Sequence, residues 1–171
     1  MGVTAFPIVS GAKVTANDAT AKMEPGTIMA VRTNTDHWSL VEYVQLDNNG
    51  VSQGEVLINN FATLKQFSVA KAASVDGGGP MRGIAAATIA SQQFGFMYIG
   101  GYVEKADLSH TAASGEYLCV SGSTLGKLTP DRTSAIHQAT VVNASLLMIV
   151  AQARTAIATG VGSVSIMGVW G

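Results

Sequence analysis

The run Phe94-Gly95-Phe96-Met97-Tyr98-Ile99-Gly100-Gly101-Tyr102-Val103 limits the fold more than any other part of the chain. Aromatic and β-branched side chains suit a pleated backbone, and each glycine inside a helix costs about 1 kcal/mol relative to alanine. The run therefore predicts a long central strand with a bend at Gly100-Gly101. Phe96 and Tyr98 then point to one side and Met97 and Ile99 to the other. Both faces are apolar, so one of them has to meet a second sheet or a neighbouring chain.

Other strands follow from alternation. Ile28, Ala30 and Arg32 oppose Met29 and Val31. After the polar break at residues 33–37, the run Trp38 to Leu46 places Val41 and Tyr43 on one face and Leu40, Glu42, Val44 and Leu46 on the other. Asn48-Asn49-Gly50 and Gln53-Gly54 read as turns before a strand at Glu55 to Ile58. Residues 61–69 fit helix and strand spacing equally. Asp76-Gly77-Gly78-Gly79-Pro80 reads as a loop, since it lacks the Gly-Lys-Ser/Thr of a phosphate-binding loop. Residues 104–111 are polar enough to be expected at the surface, and Glu116 to Val120 is a short strand entered through a turn at Gly115. Strands are expected near 139–142 and 147–157. Gly160 to Gly162 reads as a turn and residues 163–170 as a closing strand, with Val164, Ile166 and Trp170 on one side. Residues 1–25 have no convincing period and are expected to form an extended arm that packs on a neighbour, or a leader. The fold class expected is all-β: a compact antiparallel β-barrel or β-sandwich over residues 26–171, with an N-terminal arm over 1–25.

Composition narrows the function. Ten Lys and Arg face eleven Asp and Glu, and charged residues make up only 12% of the chain, about half the usual share. Such a surface is suited to being covered in an assembly. No window concentrates Lys and Arg, which argues against a nucleic-acid partner. The longest apolar run, Ala144 to Ala151, is far too short for a membrane helix, and no basic region followed by an apolar core marks a secretory signal. Cys119, the sole cysteine, sits between Leu118 and Val120 and reads as a buried small hydrophobe.

Catalytic constellations do not assemble. His37, His110 and His137 with Cys119 or a serine could supply parts of a nucleophilic site, but no motif orders them. Asp36-His37 and Asp107 with His110 are the only close pairs that suggest a metal, and neither matches a known ligand spacing. Asp47, Asn48, Asn49 and Glu55 miss the order of a calcium loop. No catalytic residue, metal or cofactor is assigned.

The order of short elements is distinctive. Gly79-Pro80, then Gly83 to Ala90, then Gln93 to Gly101, then Ala113-Ser114-Gly115-Glu116-Tyr117-Leu118, and an Ala-rich terminal part ending in Val164-Ser165-Ile166, together resemble small virion structural proteins of tailed bacteriophages. Capsid decoration, or cement, proteins are the nearest in texture. The resemblance spans about Thr27 to Trp170 and implies a non-enzymatic β-barrel or β-sandwich made in the host cytoplasm and carried in the virion. Its partner would be the major capsid protein lattice, and it would act as a homo-oligomer, a trimer being one arrangement. The arm would supply Val3, Phe6, Pro7 and Ile8 to the interface, with Trp38 and Tyr43 as anchors. A tail or baseplate component is the nearest alternative. A carbohydrate- or receptor-binding module is another, with Trp38, Tyr98 or Tyr102 as stacking platforms.

Overall fold

The computed structural model describes residues 8–9, 14–15, 17–32, 37–47, 49–59, 68–71, 81–121, 124–130 and 151–167. They form no helix. Eleven strands run in chain order: β1 (Ile8–Val9), β2 (Ile28–Arg32), β3 (Trp38–Leu46), β4 (Val56–Asn59), β5 (Ser68–Lys71), β6 (Met81–Ala85), β7 (Phe94–Leu108), β8 (Tyr117–Val120), β9 (Leu128–Pro130), β10 (Ala151–Ala153) and β11 (Gly160–Ile166). The all-β expectation holds, and the predicted central strand is β7.

The sheet closes twice. β3, β5, β4, β6 and β7 form one five-stranded barrel, sealed where β3 pairs with β7. β7, β11, β10, β8 and β9 form a second, sealed where β7 pairs in parallel with β9. The long strand β7 belongs to both. Its Phe94 to Gly101 half lies beside β3, and its Gly101 to Leu108 half lies beside β11. The joint is Gly101, whose φ of 82° is a left-handed conformation that lets the strand leave one barrel and enter the other. β1 and β2 extend the sheet beyond β3.

The two barrels are an internal repeat. In the first, Leu57 pairs with Gly83 and Val56 with Ile84; in the second, Leu118 pairs with Ala151 and Tyr117 with Gln152. Ile84 and Ala85 pair with Tyr98 and Met97, as Gln152 and Ala153 pair with Ser165 and Val164. The isolated bridge Val51 to Ile89 returns as Ala112 to Ile157. A shared turn fixes both. Gly54 and Gly115 have φ of 90° and 80°, and their amides donate to Ala85 and Ala153. The following glutamate folds back, so that Glu55 accepts from the Ser52 amide and Glu116 from the Ala113 amide, each at 2.7 Å.

The cores match as well. Val44, Leu46, Val51, Leu57, Ala85, Ile89 and Met97 fill the first barrel. Ala106, Leu108, Ala112, Leu118, Ala153, Ile157 and Val164 stand at the corresponding places in the second. The second core also takes in Val56, Ile58, Met81 and Ile84, side chains on the outside of the first barrel. The barrels are therefore packed on each other as well as joined through β7.

Three expectations change. Residues 104–108 continue β7, because Glu104 and Lys105 face solvent at the irregularity opposite Ser163 while Ala106 and Leu108 enter the core. Gly160 to Gly162 lies inside β11 rather than in a turn. Of the arm expected over 1–25, residues 14–15 and 17–25 strap the outer face of the chain's own first barrel: Val14 is buried with Val31, Val41, Tyr43 and Phe96, and Asp18 bridges to Phe94. The strands expected near 139–142 and in the first part of 147–157, Trp170, and residues 61–67 lie outside the described residues, while Ala151–Ala153 is β10.

Candidate functional site

The interface candidates separate on the structure. Val3, Phe6 and Pro7 lie outside the described residues, and Ile8 enters β1, opposite Ala30 of β2 in a parallel pairing. Trp38 opens β3 and is 49% exposed. Tyr43 is at the surface of the barrel but not of the protein. The strap covers its ring, which packs at 5.0 Å from Phe96 and 6.0 Å from Phe94 between centroids. Its hydroxyl donates to Asp18 at 3.0 Å and accepts from the Lys22 amide at 3.3 Å. Burial pushes the Tyr43 phenol above its ordinary range. Tyr43 therefore anchors the strap and does not offer an exposed anchor to a partner.

The Lys22 ammonium lies 2.7 Å from the Asp18 carboxylate and holds it below its usual range. Lys22 is itself raised by the same contact. This group of Asp18, Lys22 and Tyr43 latches the strap to β3.

One buried ion pair sits in the first barrel. Arg82 donates through one nitrogen to both oxygens of Glu42, at 2.7 and 2.8 Å. Glu42 is 1% exposed and the Arg82 side chain 19%. Arg82 is presented by an irregularity in β6, between Met81 opposite Ile58 and Gly83 opposite Leu57. Val103 holds the place of Glu42 in the second barrel, since Glu42 pairs with Met97 and Val103 with Val164.

Among the described residues no group of three His, Cys, Asp or Glu side chains is placed to hold a metal. His110 stands beside Ser109 at 2.9 Å and Thr129 at 3.4 Å, and Cys119 is buried with its thiol 3.6 Å from the Thr129 carbonyl. Asp36 and His137 lie outside the described residues. No family model matches the chain, and no curated protein matches it in sequence.

What remains is a set of large uncharged side chains open to solvent. Among the described residues the most exposed large apolar groups are Trp38 on β3, Tyr117 on β8, Val161 on β11, Met167 just beyond β11 and Leu125 in the turn before β9. His37 stacks on Tyr102 with centroids 4.3 Å apart, and Ser39 Oγ donates to the Tyr102 carbonyl, which fixes Tyr102 against the start of β3. Tyr98, the third candidate platform, is half-buried against the second core, and burial raises its phenol, with the Glu104 charge adding to the effect. The sequence points to Trp38 and Tyr102 as aromatic residues, but their nearness depends on β3 and β7 pairing across a long separation.

Proposed function

We propose that this chain is a non-enzymatic virion structural protein that binds a viral capsid lattice and stabilises it, acting as a homo-oligomer. The observation that supports the reading is the exposure of large uncharged side chains, Trp38, Tyr117 and Val161 on strands and Met167 just beyond β11, in a chain with only 12% charged residues. Aromatic and Met side chains are enriched at protein contacts and Lys and Glu depleted there, and a broad sheet suits a protein partner better than a small ligand. The resemblance to decoration proteins gives the partner. On a symmetric lattice many copies make weak contacts cumulative.

The test is cosedimentation of the purified chain with undecorated capsids of the source virus, followed by heating. The expected result is saturable binding and a higher temperature of capsid disruption. Free protein left in the supernatant at saturating capsid would overturn the reading.

A second reading, glycan binding, is favoured by the exposed Trp38 ring near the His37 and Tyr102 stack. Glycan-array binding lost in Trp38→Ala would support it and would set the lattice aside.

A further inference from the structure

The turn that opens β4 and β8 occurs a third time, before β2. Gly26 has a φ of 92°, beside 90° at Gly54 and 80° at Gly115. Its amide donates to the Tyr43 carbonyl at 2.7 Å, and the Tyr43 amide donates to the Thr27 carbonyl at 2.9 Å. Ala85 makes the same pair of bonds with Gly54 and Glu55, and Ala153 with Gly115 and Glu116. The residue after each glycine donates its amide to the carbonyl three positions back, Thr27 to Glu24, Glu55 to Ser52 and Glu116 to Ala113. By strand register Met29, Tyr43 and Phe96 then answer to Leu57, Ala85 and Met97. With Met23, the counterpart of Val51, they share one core, as those side chains do in the first barrel. The strap, β2, β3 and the first half of β7 are a third copy of the repeated unit.

This copy is one strand short. In the complete units β5 runs antiparallel along Leu57, Ile58 and Asn59, and β9 along Leu118, Cys119 and Val120. The same positions on β2 are Met29, Ala30 and Val31. Residues 60–80 and 121–150 carry β5 and β9, whereas residues 33–37 alone join β2 to β3. β1 stands in the gap, with Ile8 opposite Ala30 and Val9 opposite Val31. Its direction differs: it lies parallel to β2, where β5 and β9 are antiparallel to their neighbours. Its place in the chain differs too, since it precedes every other described strand, while β5 and β9 are joined to their barrels on both sides. The vacancy is filled by a strand that comes from outside the unit.

We propose that the edge of β2 at Ala30 and Val31 is a strand-acceptor site, and that copies of this chain associate by exchanging β1, so that Ile8–Val9 of one copy pairs with β2 of the next in the register seen within one chain. A sheet edge offers a row of main-chain donors and acceptors, which an extended segment satisfies. β1 pairs with β2 alone, so it leaves without opening either barrel. Exchange remakes in the second copy the pairing given up in the first, which is why swapping an identical element is a low-cost route to an oligomer. Reciprocal exchange closes a dimer, and exchange round a ring closes a trimer or larger ring. The proposal rests on the homo-oligomer part of the function above and is independent of the lattice.

The test joins full-length chains with a short bismaleimide. Isotope-labelled Ile8→Cys is mixed with unlabelled Ala30→Cys at rising micromolar concentration, and mass spectrometry counts the mixed dimer. Cys119 is buried, and the wild type in the same reaction gives its background. Circular dichroism checks each fold, and Met29→Cys replaces Ala30→Cys if the latter fails to fold. The mixed dimer is expected at least about tenfold above that formed between Ile8→Cys and Val161→Cys, a cysteine exposed on β11. The double variant Ile8→Cys with Ala30→Cys reports the pairing itself. A double variant that links only within one chain, with mixed single variants at the control level, would overturn the exchange; a double variant that links in neither way would overturn the acceptor site. Light scattering on the wild type separates the failures, because an oligomer without the mixed dimer keeps the homo-oligomer and loses the exchange.

Discussion

Gly54 and Gly115 occupy the same turn in the two barrels, which makes alanine at each a matched experiment. Both have positive φ, 90° and 80°, where an L side chain costs about 1–2 kcal/mol. At Gly115 nothing lies within 4 Å of an added Cβ, so Gly115→Ala should lose that amount and no more. At Gly54 the same methyl would sit 3.1 Å from the Lys105 carbonyl oxygen and 3.3 Å from the Asp107 amide. These are backbone atoms of β7, and the Asp107 amide donates to the Gly54 carbonyl at 2.9 Å, so relief has to come from moving one barrel against the other. Overpacking of that kind adds roughly 1–3 kcal/mol. Gly54→Ala is therefore expected to cost about 2–5 kcal/mol in all. Urea unfolding with a common m-value reads the difference directly. Equal losses at the two sites, or a larger one at Gly115, would refute the claim that Gly54 is pinned between the barrels while Gly115 faces open space.

Arg82→Met is expected to cost about 3–5 kcal/mol, because it leaves the Glu42 carboxylate buried and unpaired; adding Glu42→Val, which copies Val103 of the second barrel, should restore most of the loss, and a double variant as unstable as the single would refute this. The strap should be bound most firmly between about pH 5 and 9. Asp18 is depressed below 3.8, so its contribution is present above that value and fades as pH falls through its folded pKa. Lys22 and Tyr43 are raised above 10.5 and 10.0, so theirs fade as pH rises past those values. Protection of residues 17–27 against hydrogen exchange, taken relative to the intrinsic rate at each pH, should fall at both extremes before that of β6 and β7, and Asp18→Asn should abolish the acid step; protection that does not change with pH would refute the latch.

Much of the strand content is legible in the sequence because alternation survives burial. β3 shows Val41 and Tyr43 on one face and Glu42, Val44 and Leu46 on the other, as its residues predict. β7 is harder. Its far half carries Glu104, Lys105 and Asp107, which look like a surface loop, and only the irregularity opposite Ser163 turns them outward while Ala106 and Leu108 turn in. The repeat left a faint trace, Gly54-Glu55-Val56-Leu57 against Gly115-Glu116-Tyr117-Leu118, and Ile89-Ala90 against Ile157-Ala158. These are the positions that the turn and the barrel interior demand. Elsewhere one fold accepts different residues, so Met97 answers to Val164 and Ile84 to Gln152 with little shared signal.

The candidate surface divides in the same way. Trp38 and Tyr43 look alike in the sequence, as aromatic residues in one strand. Whether each is exposed was decided by the strap, which crosses Tyr43 and leaves Trp38 open. By itself the sequence determined that this chain builds β-structure with few charges, because local alternation and composition act over short distances. Only the tertiary structure decided that the strands close into two repeated barrels through β7, and that a strap covers Tyr43 while Trp38 stays open. Those facts depend on pairings between residues far apart in the chain, and no local pattern encodes them.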